Sequence, residues 1–277
     1  MSVRSVLFVT LVLGVVANAT PGEKSRKYCD ETHVKATGRV RRIVGGIEAA
    51  ENEFPHMVSL GYEEKNDISW QCAGSLISNK YVLTAASCIS RITPKYAKLG
   101  TVDLDSKTEP LKIARVIRNP AFKPPFSYDD IGLIELEKPV EFSDSIRPAC
   151  LNTEDSDVKH TFTATGWGLT SFNGNPSSKL LKVALEEVDN ADCNKHYEKN
   201  RRLVDGIKAE SLICAGGDHK DTCQGDSGAP LQILNPKYIS TYDIHGVTSF
   251  GKACGFNSPA VYTRVSHYIN WIESIVF

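Results

Sequence analysis

The chain has 277 residues, a formal net charge of −1 and 41% hydrophobic residues, a composition typical of a globular protein with enough length for a full core. A charge so close to zero gives no reason to expect nucleic acid or an anionic membrane as a partner. The nature of any partner must therefore be inferred from local motifs.

The first 19 residues have the pattern of a secretory signal peptide. Arg4 supplies a positive charge, an apolar run covers 6–16, and Ala-Asn-Ala at 17–19 matches a small-residue cleavage site. The alternative is a transmembrane anchor, which needs about 20 apolar residues, more than this run contains. We expect a secreted, extracellular protein that does not span a membrane.

The next segment, 20–42, is polar and basic, and Cys29 is its only notable apolar anchor. It is interpreted as a propeptide ending in the basic run 39–42, although such a run is also typical of a solvated surface stretch. From residue 43 onward, short β-rich runs alternate with turn clusters, which favours an all-β barrel or sandwich. These runs are MVSLGY (57–62), YVLTAA (81–86), KIARVI (112–117), IGLIEL (131–136) and HGVTSF (245–250).

Only the C-terminal segment 267–276 places apolar residues at helical intervals, so a helix is predicted there and nowhere else. Eight cysteines follow the signal segment, which indicates an oxidising compartment. Zinc binding is the alternative, but the sequence has neither paired CxxC motifs nor an HExxH motif. Eight cysteines allow 105 pairings, and their spacing alone selects none of them.

Ser227 lies within the string CQGDSGAP at 223–230. A serine flanked by glycines allows the backbone to direct two N–H groups toward one point, where an oxyanion can be held. A short glycine-rich turn is the alternative interpretation. The longer string, with its acidic residue and cysteine, is much more specific than a lone glycine–serine match.

Together with an ordered set of other motifs, this string resembles the chymotrypsin/trypsin family of serine proteases over 43–277. The resemblance implies an all-β fold of two six-stranded antiparallel β-barrels with a C-terminal helix, and an active site in the cleft between the barrels. The matching segments are IVGG (43–46), CAGSLIS (72–78), VLTAASC (82–88), DIGLIEL (130–136), TGWG (165–168), GDSG (225–228) and PAVYTRV (259–265).

The resemblance implies roles for individual residues. Ser227 would be the nucleophile, Asp130 the triad carboxylate, and the N–H groups of Gly225 and Ser227 the oxyanion hole. Asp129 is expected to face solvent beside Asp130. These assignments place the catalytic machinery on segments that are distant in sequence.

A specificity pocket is implied as well. Asp221 would form its floor and select Arg or Lys, because a carboxylate in a narrow slot favours a paired cation; a surface aspartate is the alternative. Ser249, Gly251 and Ala260 would line the walls. The methyl group of Ala260 is expected to crowd the entering side chain.

The family pattern further implies an activation site. Cleavage after Arg42 would free the amine of Ile43, which would pair with the buried Asp226 and order the oxyanion hole. The pattern also assigns every cysteine, and the bridge to the propeptide would keep that segment attached after cleavage. The implied pairs are Cys29–Cys150, Cys72–Cys88, Cys193–Cys214 and Cys223–Cys254.

One residue departs from this pattern. Ser87 stands where the resemblance implies the triad histidine, and a serine hydroxyl is far too weak a base to activate Ser227 at neutral pH. None of the seven histidines maps to a place that would reach the Ser227 hydroxyl. They are His33, His56, His160, His196, His219, His245 and His267.

The sequence therefore predicts a secreted, non-catalytic serine protease homologue of arthropod type that acts by binding. Its expected partners are proteins, namely an activating protease and cascade proteases or their substrates, with no cofactor or metal. Two alternatives remain open. One is a trypsin-like endopeptidase cleaving after Arg or Lys with a base from elsewhere, and the other is a purely adhesive secreted module.

Overall fold

Strands dominate the computed structural model of the chain, which describes residues 20–36, 47–65, 67–154, 158–170, 174–216, 222, 224–252 and 258–277. The strands of its first half are β1 (Ile47–Glu48), β2 (Met57–Glu64), β3 (Asp67–Leu76), β4 (Tyr81–Thr84), β5 (Tyr96–Lys98), β6 (Leu111–Arg118) and β7 (Gly132–Leu136). Those of its second half are β8 (Cys150–Leu151), β9 (Thr161–Gly166), β10 (Leu181–Val188), β11 (Leu212–Ala215), β12 (Pro230–Leu234), β13 (Tyr242–Phe250) and β14 (Ala260–Arg264).

The first half forms a closed six-stranded barrel in the order β2-β3-β4-β7-β6-β5. Neighbouring strands are antiparallel, and β5 pairs with β2 to complete the ring. The apolar run of β7 is buried at Leu133, Ile134 and Leu136, which belong to the main core cluster. Burial of such branched side chains contributes roughly 1.5–3 kcal/mol each. This core holds the ends of β4 and β7 rigidly.

The second half forms another closed six-stranded ring, in the order β10-β11-β14-β13-β12-β9, since β9 also pairs with β10. Strand β1 extends it beside β10, and β8 pairs in parallel with β13. Two closed antiparallel barrels confirm the fold predicted from the motif resemblance.

The structure contains more helix than the sequence predicts. The C-terminal segment is helical as expected, with a 3₁₀ turn at Ser266–Tyr268 followed by α3 (Ile269–Val276). Two further helices, α1 (Glu23–Thr32) and α2 (Asn190–His196), contradict the expectation that no other helix occurs. Apolar periodicity missed α1 because its buried residues are Ser25 and Cys29 rather than a stripe of large apolar side chains.

Helix α1 packs on α3 through polar contacts. The buried Glu273 carboxylate accepts hydrogen bonds from the Ser25 N–H at 2.7 Å, the Ser25 hydroxyl at 2.8 Å and the Gly22 N–H at 3.2 Å. These bonds satisfy N–H groups at the start of α1 that have no partner within the helix. The segment 20–36 is thus an ordered part of the molecule.

Covalent and side-chain contacts hold the other end of α1. Cys29 forms a disulfide with Cys150, and the ring nitrogens of buried His33 lie 2.9 and 2.8 Å from the carbonyl oxygens of Cys29 and Pro148. The structure also contains Cys72–Cys88 and Cys193–Cys214. The pair Cys223–Cys254 lies outside the described residues. Within the described ranges, no helix has the length and apolar character required to cross a membrane.

Candidate active site

Ser87 and Asp130 meet because neighbouring strands of the first barrel end side by side. Strand β4 pairs with β7, and Thr84 lies opposite Gly132. Ser87 follows β4 in a 3₁₀ turn, while Asp130 precedes β7. Ser87 is exposed and Asp130 is only 4% exposed. The register of the β4–β7 pairing therefore places the exposed Ser87 next to the buried Asp130 carboxylate.

Two serines donate three hydrogen bonds to the Asp130 carboxylate. The Ser87 N–H donates to Oδ1 at 2.7 Å, and the Ser87 hydroxyl donates to Oδ2 at 2.9 Å. The Ser249 hydroxyl, from the end of β13, donates to Oδ2 at 2.6 Å. Ser87 therefore occupies the carboxylate edge that an imidazole would need in order to be oriented there.

The environment of Asp130 opposes its negative charge. Burial raises the pKa of this carboxyl, and the hydrogen bonds from Ser249 and Ser87 partly offset that rise. These donors are neutral hydroxyl and amide groups. They orient the carboxylate, but neither can accept the proton that a serine nucleophile must lose.

Ser227 lies in a tight turn that ends before β12. Gly225 and Gly228 have φ angles of 99° and 82°, in the left-handed region that favours glycine. A Cβ at Gly228 would lie 2.3 Å from the Ala73 carbonyl oxygen, so the turn accepts only glycine at this position. The Ser227 carbonyl accepts a hydrogen bond from Ala73 N–H at 2.9 Å, which ties the turn to β3 of the first barrel.

The predicted oxyanion hole has open donors. Within the described part of the chain, neither the Gly225 N–H nor the Ser227 N–H has a hydrogen-bond acceptor, and the half-buried Ser227 hydroxyl has no partner either. Two unengaged N–H groups beside a serine are suited to holding an oxyanion.

Asp226 is buried behind this turn. Its Oδ1 accepts the Gly168 N–H at 2.8 Å, and a Cβ at Gly166 would lie 1.9 Å from the same oxygen. The TGWG segment therefore approaches the carboxylate closely. Arg42 and Ile43, the predicted activation residues, lie outside the described residues.

The predicted specificity pocket is described in part. Asp221, its predicted floor, lies outside the described residues. Ala260 is buried, and a Cβ placed on Gly251 would lie 3.8 Å from the Ala260 Cα and Cβ, so these two residues face each other. Ser249 directs its hydroxyl to Asp130 rather than serving only as a wall.

Two features of the site were missed by sequence reasoning. The Ser249 contact joins residues 119 positions apart, and nothing in the local string predicts it. Asp129 was expected to face solvent, yet it is half-buried and accepts the Tyr268 hydroxyl at 2.8 Å. That contact links the site to the 3₁₀ turn before α3.

The described histidines make contacts elsewhere. His33 is bound between carbonyl groups of the N-terminal segment and the barrel, and buried His56 packs beside Tyr242 with a ring separation of 5.5 Å. His160 and His245 pack against each other at 5.3 Å. His196 ends α2 and His267 packs on Tyr268, whereas His219 lies outside the described residues.

A group of potential metal ligands occurs where the N-terminal segment 20–36 meets the barrels. Within the described ranges, Cys29, His33 and Cys150 place ligand atoms within 4.8 Å of one another. The two cysteines are joined in a disulfide, and the His33 ring nitrogens face carbonyl oxygens. These three side chains have structural roles and do not form a metal site, because a disulfide sulfur is not the thiolate that binds metals.

Comparison with known proteins agrees with this geometry. The family model described as Trypsin matches residues 43–272. The chain belongs to the trypsin family. Among related proteins, Serine protease snk of Drosophila melanogaster is 38% identical over 96% of this chain. Clotting factor G beta subunit of Tachypleus tridentatus is 34% identical over the whole chain.

These relatives differ in how much of their own length is matched. The chain of this trypsin-family member spans 66% of snk and 94% of the clotting factor subunit. It spans 39% of Serine protease Hayan of Drosophila melanogaster, to which it is 34% identical. The match therefore describes the protease-like domain that these proteins share.

Proposed function

We propose that this trypsin-family protein is a secreted, proteolytically inactive homologue that acts by binding other proteins in an extracellular protease cascade. The observation that carries the proposal is the Ser87–Asp130 pair, in which a hydroxyl occupies the carboxylate edge that the triad base would use. Loss of the histidine in a serine protease lowers turnover by about 10⁶-fold. The remaining oxyanion-hole donors supply only about 10³–10⁴-fold over water.

The proposal includes processing. Residues 1–19 would be removed as a signal peptide, 20–42 would form the propeptide, and cleavage after Arg42 would produce the mature domain 43–277. The new Ile43 amine would pair with Asp226. The relative named as a clotting factor subunit supports a role in a protease cascade. Partners would be the activating protease and cascade proteases or their substrates.

The decisive experiment restores the base. Ser87→His places an imidazole above Asp130, where its N–H can replace the Ser87 hydroxyl as donor to Oδ2. We expect the Arg42-cleaved parent protein to show negligible hydrolysis of an arginine peptide ester. Ser87→His should raise turnover by at least about a thousandfold, because orienting donors and oxyanion N–H groups are already in place.

Two matched variants control this measurement. Ser87→Ala should leave the parent's residual rate unchanged, and adding Ser227→Ala to Ser87→His should abolish the gain. The alternative, an active endopeptidase that cleaves after Arg or Lys with a base from elsewhere, predicts parent turnover within about tenfold of ordinary trypsin levels. That result would overturn the proposal of an inactive homologue.

A further inference from the structure

Two loops beside Asp130 present cations together with exposed apolar side chains. The first loop precedes Asp130 and the second follows α2, and their exposed members form what we call the basic rim. Phe126 is 40% exposed and Val204 is 47% exposed. The basic rim consists of Lys123, Phe126, Lys199, Arg201, Arg202 and Val204, all exposed.

Hydrogen bonds join the two loops into one surface. The Ser127 N–H donates to the Arg202 carbonyl at 2.9 Å. The Tyr128 hydroxyl accepts the Asp205 N–H at 2.9 Å and donates to the Gly206 carbonyl at 2.9 Å. The exposed cations of the second loop and the exposed Phe126 of the first therefore lie on adjoining segments.

A buried hydrophobic cluster supports the second loop of the rim. Tyr197, Leu203 and Ile207 are buried in one cluster with the Cys193–Cys214 disulfide beneath the second loop. Phe250, the residue after Ser249, packs edge-on against Tyr197 at 5.8 Å. Because Ser249 bonds to Asp130, the buried layer beneath the rim extends to the candidate active site.

A tight turn displays the two arginines. Asn200 and Leu203 exchange backbone hydrogen bonds at 3.3 and 3.0 Å, and the Asn200 side chain accepts the Arg202 N–H at 2.8 Å. Arg201 and Arg202 are the two residues at the tip. Their backbone is fixed before any partner arrives, which lowers the entropic cost of binding.

Neighbouring acids offset only part of the charge of the rim, through the electrostatic interaction of Asp205 with Lys199. Among the described residues, Lys123, Lys199, Arg201 and Arg202 form no ion pair. The neighbouring Asp205 is already paired with Lys208 at 2.7 Å. Glu198 is the opposing charge within the stretch 196–204. On a chain with a net charge of −1, this is a concentrated positive surface.

We propose that the basic rim binds an acidic segment of a partner protein that also carries apolar side chains. Carboxylates would pair with the arginine forks, and an aromatic or aliphatic side chain would cover Phe126 and Val204. A sulfated polysaccharide would use the cations but would leave the two apolar residues exposed to water. The apolar pair therefore favours a polypeptide partner. The inference supplies the partner chemistry for the proposed binding function and rests on it to that extent.

The test uses the full chain and a short fluorescent peptide of Glu and Asp that contains one Phe and one Leu. Fluorescence anisotropy should detect binding at about 50 mM salt and clear weakening at about 300 mM, because exposed charges are screened. Arg201→Gln with Arg202→Gln should weaken binding about tenfold. Lys107→Gln with Lys112→Gln, an equal charge change at exposed residues of the first barrel, should change it less than twofold.

The apolar contribution is tested separately. Phe126→Ser with Val204→Ser should weaken binding of this peptide about fivefold, but not binding of a peptide in which Phe and Leu are replaced by Ser. Absence of peptide binding, or binding unaffected by the arginine changes, would overturn the inference. So would tighter binding of a heparin oligosaccharide that is indifferent to the two apolar substitutions.

The peptide-binding assay tests the inference about the basic rim, whereas the hydrolysis assay tests the proposed loss of activity. The peptide assay is repeated with Ser87→His protein, whose change lies outside the basic rim. If the parent protein proves to be an active protease, the proposal of inactivity fails while rim binding persists. If Ser87→His restores hydrolysis but the peptide does not bind, only the inference about the rim fails.

Discussion

A buried carboxylate without a partner base is the central feature at the scale of single residues. Asp130 retains the donors that would orient a triad, from Ser87 and Ser249, while the group that would carry the proton is absent from the described contacts. The Ser87 hydroxyl satisfies the carboxylate and so removes the cost of leaving it unpaired. A serine at position 87 is therefore structurally tolerated, and under the proposed function it removes the proton acceptor.

A second residue, His56, makes stability depend on pH. It is buried, and burial lowers its pKa to about 3, while the neighbouring Gln232 side chain opposes this decrease. Between about 3 and the unfolded value of 6.5, the unfolded chain binds a proton that the folded protein excludes. The proton-linked cost of His56 is therefore small well above pH 6.5, and stability falls progressively as the pH drops below that value.

We expect His56→Phe to reduce this acid sensitivity. At pH 5 the histidine should lower the free energy of unfolding by about 2 kcal/mol relative to pH 7.5, and a phenyl ring removes that contribution. Urea unfolding at both pH values measures the difference. His267→Phe, at an exposed histidine, is the matched control. An unchanged pH dependence in His56→Phe would show that His56 accepts a proton in the folded protein.

At the scale of elements, the N-terminal segment is attached by polar and covalent contacts, together with an aromatic contact between Tyr28 and Phe277 at 4.9 Å. Helix α1 places its first turn over the Glu273 carboxylate of α3, and Cys29 joins its last turn to Cys150. Negative charge near a helix N-terminus is favourable because the free N–H groups and the helix dipole point there.

Glu273→Gln should loosen this attachment. The amide nitrogen of glutamine would face a donor at Ser25 or Gly22, which leaves a buried N–H unsatisfied at a cost of about 2 kcal/mol. We expect a lower Tm and faster amide hydrogen exchange within Glu23–Thr32. Glu31→Gln, at an exposed carboxylate that pairs with Lys27, is the control and should change stability by less than about 0.5 kcal/mol. Equal effects of the two substitutions would contradict the anchoring role of Glu273.

At the scale of the whole molecule, the two barrels divide the site between them. The first barrel contributes Ser87 and Asp130, and the second contributes Ser227 and Ser249. Contacts across the boundary, from Ser249 to Asp130 and from Ala73 to the Ser227 carbonyl, hold the halves in register. The proposed binding function requires no triad base in such a scaffold, because the two barrel cores and these contacts hold the halves together.

The connection between the N-terminal segment and the barrels should survive activation. After cleavage at Arg42, we expect one band on a non-reducing denaturing gel and two bands after reduction, because Cys29–Cys150 crosses the cleavage point. Replacing both cysteines with serine should give two bands under either condition, and Arg42→Gln should give one band under both. Separate fragments from the cleaved parent protein without reductant would contradict a retained propeptide.

Much of the fold was predictable because strand-forming runs and turn clusters are local signals. The run at 131–136 contains β7, and the run at 57–62 lies within β2. Helix α1 was not predictable, since its buried face is made of Ser25 and Cys29 and its partner carboxylate is 248 positions away. Local periodicity indicates which large apolar side chains are buried, but it does not predict polar contacts between distant segments.

The sequence by itself determined the family resemblance, the double-barrel fold and the absence of the expected histidine at Ser87, because each is carried by residue identity within ordered motifs. Only the tertiary structure decided what replaces that histidine: the Ser87 and Ser249 hydroxyls on Asp130. It also brought the cations of two separate loops together as the basic rim. Both arrangements join segments that are far apart in the chain, and only strand register and core packing bring such segments together.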